Sequence, residues 1–202
     1  MTAPDDEQHA PDRGRTAVGC ALEILETLVL TLVIFFVIQN FVAQPFRVQM
    51  SSMERTFEPD QYVLIDRLSH LWSPYQRGQV IVFRPPEGAG EQGDPFIKRV
   101  IGVAGDTVDL RDGQVLVNGK QLNEPYLYRN DAGNIEPTDA TGGVSHWVVP
   151  DGQLFVMGDH RQVSVDSRVF GVIPVSSVIG RAVLRYWPIS NLGLVQTPTY
   201  GP

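Results

Sequence analysis

The sequence predicts a mainly β fold behind a single N-terminal transmembrane helix, and three observations carry the prediction. From Thr27 to Phe46 there is no charged residue for 20 positions, and a helix rising about 1.5 Å per residue would span roughly 30 Å there, the thickness of bilayer hydrocarbon. After that run, short β-branched segments recur between turn signals at regular spacing, the pattern of an all-β domain. With an anchor and a short tail removed, the 202-residue chain leaves one ordinary domain, or a domain with a sizeable subdomain, large enough to bury a core.

Residues 1–16 read as a disordered tail, because Pro4, Asp5, Asp6, Glu7, Pro11 and Asp12 leave too little apolar surface to fold. Residues 17–45 read as the anchor and residues 46–202 as the remaining domain. A buried core helix is usually shorter than this run, and the apolar part of a cleavable signal is typically about 7 to 15 residues. Phe41-Val42-Ala43 also offers a phenylalanine where cleavage would need a small side chain. Glu23 and Glu26 precede the uncharged run and are expected near the headgroups. Arg13 and Arg15 flank one end while Arg47 and Arg55 flank the other, so basic residues do not decide the orientation.

Strands are expected at Tyr62 to Ile65, Val80 to Phe83, Phe96 to Val103, Thr107 to Leu110, Val115 to Val117, Trp147 to Val149, Leu154 to Met157 and Ile179 to Trp187. Asp112-Gly113 and Asn118-Gly119 are tight-turn signals, which makes Thr107 to Gln121 a hairpin followed by a second turn. Pro85 to Asp94 and Asn130 to Ser145, both glycine-rich, read as surface loops.

Composition narrows the functional classes. Net charge is -7 and the 16 basic residues are scattered, so the basic stripe of a nucleic-acid-binding protein is absent and no nucleic-acid partner is expected. The single cysteine, Cys20, forms no internal disulfide. No cofactor or metal is expected.

Three segments carry candidate chemistry: Gln49 to Thr56, Phe96 to Gly102, and Val156 to Arg168. Ser52 in the first is a poor nucleophile without a nearby base. His9, His70, His146 and His160 stand in no recognisable Ser/His/Asp pattern, although such partners need not be close in sequence; a surface or capping role is expected of each. A lysine serves instead only if neutral, and lowering its pKa from about 10.4 to roughly 8 costs about 3 kcal/mol, which burial among apolar side chains can impose. Lys98 lies among Phe96, Ile97, Val100 and Ile101, whereas Lys120 follows a turn glycine. Taken alone, Lys98 reads more simply as a strand lysine pointing to water, and Ser164 to Arg168 as a polar loop.

Taken together, the three segments resemble bacterial type I signal peptidases, the Ser/Lys-dyad serine proteases. The second segment, Lys98-Arg99-Val100-Ile101-Gly102-Val103-Ala104-Gly105-Asp106, follows that family's pattern over nine positions, and the third matches at Gly158, Asp159, Arg161, Ser164, Asp166, Ser167 and Arg168. His160 and Val163 each stand where the family has asparagine. Gln44-Pro45-Phe46, Val149-Pro150-Asp151-Gly152 and Tyr186-Trp187-Pro188 also look familial, so the resemblance runs from Glu23 to about Pro188.

The resemblance implies an antiparallel β fold with an inserted β subdomain at about residues 106–150, and a single-pass protein of the cell membrane with its catalytic domain on the extracytoplasmic side. It implies Ser52 as nucleophile and Lys98 as general base, with Ser164 holding Lys98 by a hydrogen bond, Asp166 and Arg168 forming an ion pair, and Asp159 in support. Phe46, Val48, Met53, Phe96 and Ile97 match the family's substrate-pocket walls. The implied partners are the signal peptides of secreted preproteins, with membrane lipid and the secretion translocon beside them. The first segment departs most: Gln49, Met50 and Arg55 replace proline, serine and proline. The residue matching Met50 often supplies an oxyanion-hole hydroxyl beside the nucleophile's own N–H, and methionine cannot donate; Ser51 is the nearest replacement. Two further readings stay open: an impaired homologue that binds signal peptides or assists a paralogue, and an autoproteolytic regulator like the SOS-repressor autoproteases. The anchor argues against the second of these.

Overall fold

The computed structural model describes residues 13–89 and 94–200, and the chain divides into two compact units, residues 1–40 and 41–202. The first unit contains α1, Arg13–Val37. This helix starts inside the segment expected to be tail, while residues 1–12 of that segment lie outside the described residues. Its part Gly19–Val37, 19 residues, is long and apolar enough to cross a membrane, and its large apolar side chains from Leu22 to Val37 are exposed.

The expected end of the span is corrected. Helical structure passes into a π turn at Ile38–Val42, and the last residues of the uncharged run form a strand, β1, Ala43–Arg47. Pro45 lacks the N–H and clashes with the preceding turn of a helix, and it is tolerated on a strand at the edge of a sheet. Glu23 and Glu26, ahead of the uncharged run, lie within α1.

In the second unit every described strand pairing is antiparallel. After β1 come a one-turn 3-10 helix at Ser51–Met53, β2 (Tyr62–Asp66), β3 (Val80–Phe83) and β4 (Phe96–Gly102). Then follow β5 (Thr107–Arg111), β6 (Gln114–Val117), β7 (Lys120–Gln121), β8 (His146–Val148) and β9 (Gln153–Met157). A short helix α2 (Ser167–Phe170) precedes β10 (Ile173–Pro174), β11 (Val178–Trp187) and β12 (Gly193–Leu194). The larger sheet has the order β1-β2-β11-β3-β4-β9-β10 with β12 on β11, and the smaller the order β7-β6-β5-β8. The mainly β fold expected from the sequence is present, with a strand at each of the expected places. The loop at Pro85 to Asp94 includes residues 90–93, outside the described residues, and Asn130 to Ser145 carries no strand beyond a single bridge, Arg129 with Ile135.

Strand β4 carries Lys98 into the interior of the protein. It lies inside the larger sheet, bonded to β3 on one side and β9 on the other, and all seven of its residues are buried. Ile97 packs with Val48, Met53 and Phe57 in one apolar cluster, Phe96 and Val100 with Phe83 and Val156 in a second, and Ile101 with Phe155 and Met157 in a third. Polar side chains on this strand are therefore largely withdrawn from water and need partners inside the protein.

The smaller sheet follows from turn chemistry. Asp112-Gly113 (φ 51° and 74°) and Asn118-Gly119 (φ 53° and 76°) both take the left-handed backbone that two-residue hairpin turns need. Asn118 adds a side-chain oxygen that accepts from the Thr107 N–H at 2.9 Å. Val108, Leu110, Val115 and Val117 of this sheet share an apolar cluster with Ile101 and Phe155 of the larger one. The close approach requires glycine at 102, where a Cβ would stand 2.8 Å from a Val108 methyl.

Candidate active site

Ser52 is presented by the turn that follows β1. Met50 is extended and caps a single 3-10 turn, Ser51–Met53, closed by the Glu54 N–H donating to the Ser51 carbonyl. Met53 is completely buried, and its carbonyl accepts from the N–H groups of Thr56 at 3.0 Å and Phe57 at 2.7 Å. The apolar anchor at 53 thus fixes the turn in the core. Ser52, in the first turn, keeps a backbone N–H without an intrahelical partner.

Lys98 reaches Ser52 from β4. Its Nζ lies 2.6 Å from Ser52 Oγ, with Lys98 1% and Ser52 4% exposed. Burial is the largest influence on this amine and lowers its pKa from 10.5 to about 8, against the Asp166 and Asp159 carboxylates, which raise it. In the ammonium form Nζ donates to the hydroxyl; the neutral amine accepts the hydroxyl proton. No imidazole competes among the described residues: His160 bonds Glu54, His146 bonds Asp109, and His70 stacks on Tyr75. His9 lies outside the described residues.

The third segment wraps this pair. Arg168 clamps Asp166 with Nε on Oδ1 and Nη2 on Oδ2, both at 2.9 Å, and the Gly158 N–H donates to Asp166 Oδ2 at 3.0 Å. Burial alone would raise the Asp166 carboxyl, but the Arg168 guanidinium and the Gly158 N–H override it and hold the group below the usual carboxylate range. Asp159 receives Arg99 in the same two-pronged way, at 2.9 and 2.6 Å, and accepts from Thr56 Oγ1 at 2.5 Å. Arg161 pairs with Glu124, donates to Thr138 Oγ1 at 2.7 Å and returns to the Gly158 carbonyl at 3.0 Å. Removing one partner from such a buried pair typically costs 3 to 5 kcal/mol, because the other charge is left uncompensated.

Several sequence expectations fall differently. Ser164 was expected to hydrogen-bond Lys98; its Oγ is buried beside the Asp166 carboxylate and makes no hydrogen bond of ordinary geometry, while Lys98 Nζ bonds Ser52 Oγ. A cleft of about 460 Å³ opens onto Ser52 and Lys98, and Phe46, Phe96 and Ile97 line it with Met50, Val163 and Val165. Val48 and Met53, expected among its walls, do not line it: both are fully buried in the cluster beneath, where apolar contacts with Phe57 and Val63 hold them. Met50, 43% exposed, faces the cleft with a thioether that cannot donate a hydrogen bond. Ser51 is half-buried and outside the cleft lining. His160, expected in a surface or capping role, is buried and stands at the N-cap of the one-turn helix Arg161–Val163 without a side-chain capping bond.

Arg99 and Gly158 entered the sequence reading only as matched positions, and Thr56 and Glu54 only as part of the first segment, with no role given to any of the four. Arg99 had a signal, since an arginine inside Phe96 to Ile101 must be paired if that strand is buried. At Gly158 a Cβ would stand 2.6 Å from both the Ser52 carbonyl oxygen and Ser164 Cβ, so only glycine lets the third segment lie against the turn that carries Ser52. Among the described residues, no cluster of three or more His, Cys, Asp or Glu side chains is disposed to hold a metal ion. The arrangement offers instead a buried hydroxyl in contact with an amine whose proton is loosened by burial, at the floor of an apolar cleft.

Comparison with known proteins points the same way. A family model described as signal peptidase, peptidase S26, matches residues 21–187. A signal peptidase I of Leptolyngbya laminosa is 36% identical over 181 residues, covering 88% of this chain and 85% of its own. A signal peptidase IB of Staphylococcus aureus is 32% identical over 179 residues, covering 84% of this chain and 91% of its own.

Proposed function

The chain belongs to the signal peptidase family, peptidase S26, and on that premise we propose that Ser52 and Lys98 together cleave the signal peptides of exported preproteins. The observation that carries the proposal is the 2.6 Å contact between Lys98 Nζ and Ser52 Oγ, made by an amine whose pKa burial brings to about 8. About a tenth of such an amine is neutral at pH 7, against fewer than about one part in a thousand for a solvated lysine. Ser52 Oγ attacks the scissile carbonyl as its proton passes to Lys98, and the resulting ammonium returns the proton to the departing amine, leaving an acyl-enzyme. Lys98, neutral again, takes a proton from water as its oxygen attacks the ester, and returns that proton to Ser52 Oγ as the acyl–oxygen bond breaks, restoring the serine hydroxyl and the neutral amine.

The Ser52 N–H is the available backbone donor for the developing oxyanion, and Met50 adds none. Losing one such donor typically costs about 3 to 4 kcal/mol in the transition state, a hundred- to thousandfold in rate, so this site is expected to run below what the dyad permits. That is a slow enzyme, not an inactive one, because nucleophile and base are both engaged.

The protein is membrane-anchored through its N-terminal apolar helix. We place the catalytic unit on the extracytoplasmic side, where membrane-held signal peptides present their cleavage sites, with membrane lipid and the secretion translocon as further partners. The substrate adds to the protein as an extended strand, its small side chains before the cut resting against Phe46, Phe96 and Ile97. The test is cleavage of a signal-peptide-bearing preprotein by the full chain purified in detergent. Wild type should release the mature protein and Ser52→Ala should not; equal cleavage by both would overturn the proposal.

A further inference from the structure

The segment Gly158 to His160 grips the nucleophile turn at three points. The His160 N–H donates to the Ser52 carbonyl at 3.1 Å, and Asp159 accepts from Thr56 at the far end of the turn. Between them, Nδ1 of the His160 imidazole lies 2.7 Å from Oε2 of Glu54, the residue that caps the nucleophile turn. The first two contacts have evident work, one closing a backbone bond and the other completing the Arg99 pair. The third calls for its own explanation, because a solvated Glu54 would need no partner.

The imidazole is held for that contact. Its ring stacks on Tyr128 with centroids 3.7 Å apart and planes 14° apart, and the Tyr128 N–H donates to the Asp159 carbonyl at 3.1 Å. On the other edge, Nε2 faces Glu136 Oε2 at 3.9 Å, an oxygen that is buried without a hydrogen-bond partner. A carboxylate accepts only, so Nδ1 must carry a proton, which it does both in one neutral tautomer and in the imidazolium. The contact therefore does not depend on the charge of the ring.

We propose that His160 is a positioning residue that acts through Glu54, fixing the Ser51–Met53 turn so that Ser52 Oγ stays in line with Lys98 Nζ. The inference rests on the Ser52/Lys98 reading. A proton transfer across 2.6 Å is steep in distance, and a misplacement of about 1 Å can cost on the order of a hundredfold in rate. Met53 anchors the turn in the core and the Ser52 carbonyl and Thr56 are tethered, so the Glu54 side chain is the remaining hold on its outer edge, and losing it lets the segment shift by the fraction of an ångström that moves Ser52 Oγ off line.

The experiment measures kcat and KM for preprotein cleavage by the full chain in detergent, with Ser52→Ala as baseline, for His160→Ala, Glu54→Ala, their double variant and His160→Asn. Both alanine variants should lower kcat roughly ten- to hundredfold with KM changed by less than about twofold, and the double variant should be no worse than either single one. His160→Asn, whose amide N–H falls near the place of Nδ1–H, should recover most of the loss. Wild-type kcat in both alanine variants, a loss confined to KM, or His160→Asn as poor as His160→Ala would each overturn the positioning role. If His160→Ala fails to fold, Glu54→Ala decides the matter alone, since that side chain is part-exposed. Residual cleavage by Ser52→Ala would instead sink the dyad, a result distinguishable from all of these.

Discussion

Replacing Lys98 by methionine should abolish cleavage and, at the same time, alter how stability depends on pH. In the folded protein the Lys98 pKa is lowered from 10.5 to about 8 by burial. Between those values the unfolded chain binds more protons than the folded one, so the lysine's contribution to stability rises with pH across that window, and below about pH 8 its full cost is present. That cost is about 3 kcal/mol at pH 7 and falls to about 1 kcal/mol at pH 9.5, so wild type gains about 2 kcal/mol over this interval that a methionine variant lacks. The variant also loses the bond to Ser52 Oγ and strands that hydroxyl, for about 1 to 3 kcal/mol, but this penalty is the same at both pH values and cancels in the comparison. Denaturant unfolding in detergent micelles, followed by the fluorescence of Trp147, which packs against Phe155, measures both proteins at both pH values. The stability difference between them should change by about 2 kcal/mol from pH 7 to 9.5, or roughly 4 to 8 °C in Tm. Parallel pH curves would refute the reasoning, since they would mean that Lys98 keeps a solvated pKa in the fold.

Three more predictions concern the surroundings. If the missing donor at Met50 limits the rate, Met50→Ser should raise kcat by up to roughly a hundred- to thousandfold with a smaller effect on KM; if Ser51 has taken over, Ser51→Ala should cripple wild type instead, and neither effect would leave the Ser52 N–H as the sole donor. Gly158→Ala should lose both stability and activity, because its Cβ would press on Ser52 O and Ser164; a fully active variant with wild-type Tm would show that the third segment can withdraw freely from the turn. For topology, cysteines at Ala10 and at the exposed strand residue Gln114 in a Cys20→Ser background should react with an impermeant thiol reagent in intact cells at position 114 only, and labelling at position 10 alone would invert the orientation.

What could be read from the sequence reflects the range of the forces involved. The turns at Asp112-Gly113 and Asn118-Gly119 were legible because left-handed backbone at two successive residues is a local demand that few residue pairs meet. The end of the helix was not, since Thr27 to Phe46 carries no charge to mark a boundary, and what stops the helix is Pro45 together with the pairing of β1 to β2, a contact made only in the folded domain. Ser52 and Lys98 could be paired in advance by resemblance, yet the burial that lowers the Lys98 pKa depends on β4 lying between β3 and β9. The same long-range packing sends Val48 and Met53 into the core and out of the cleft. The partners of Arg99, Arg161 and His160 lie 60, 37 and 106 residues away, beyond any local pattern, although an arginine inside an apolar strand was itself a warning that a buried carboxylate had to exist.

The central claim is that a buried, partly neutral Lys98 is the base for Ser52, and the pH dependence of kcat/KM tests it most directly, because that ratio reports the ionisation of the free enzyme. Measured on one preprotein from about pH 6 to 10, kcat/KM should rise roughly tenfold between pH 7 and 9 and level off above a midpoint near 8, the value to which burial brings the amine. A midpoint near 6.5, the ordinary value for histidine, would transfer the role to an imidazole, and a rise continuing past pH 10 would mean that Lys98 is solvated in the working enzyme; either result contradicts the account.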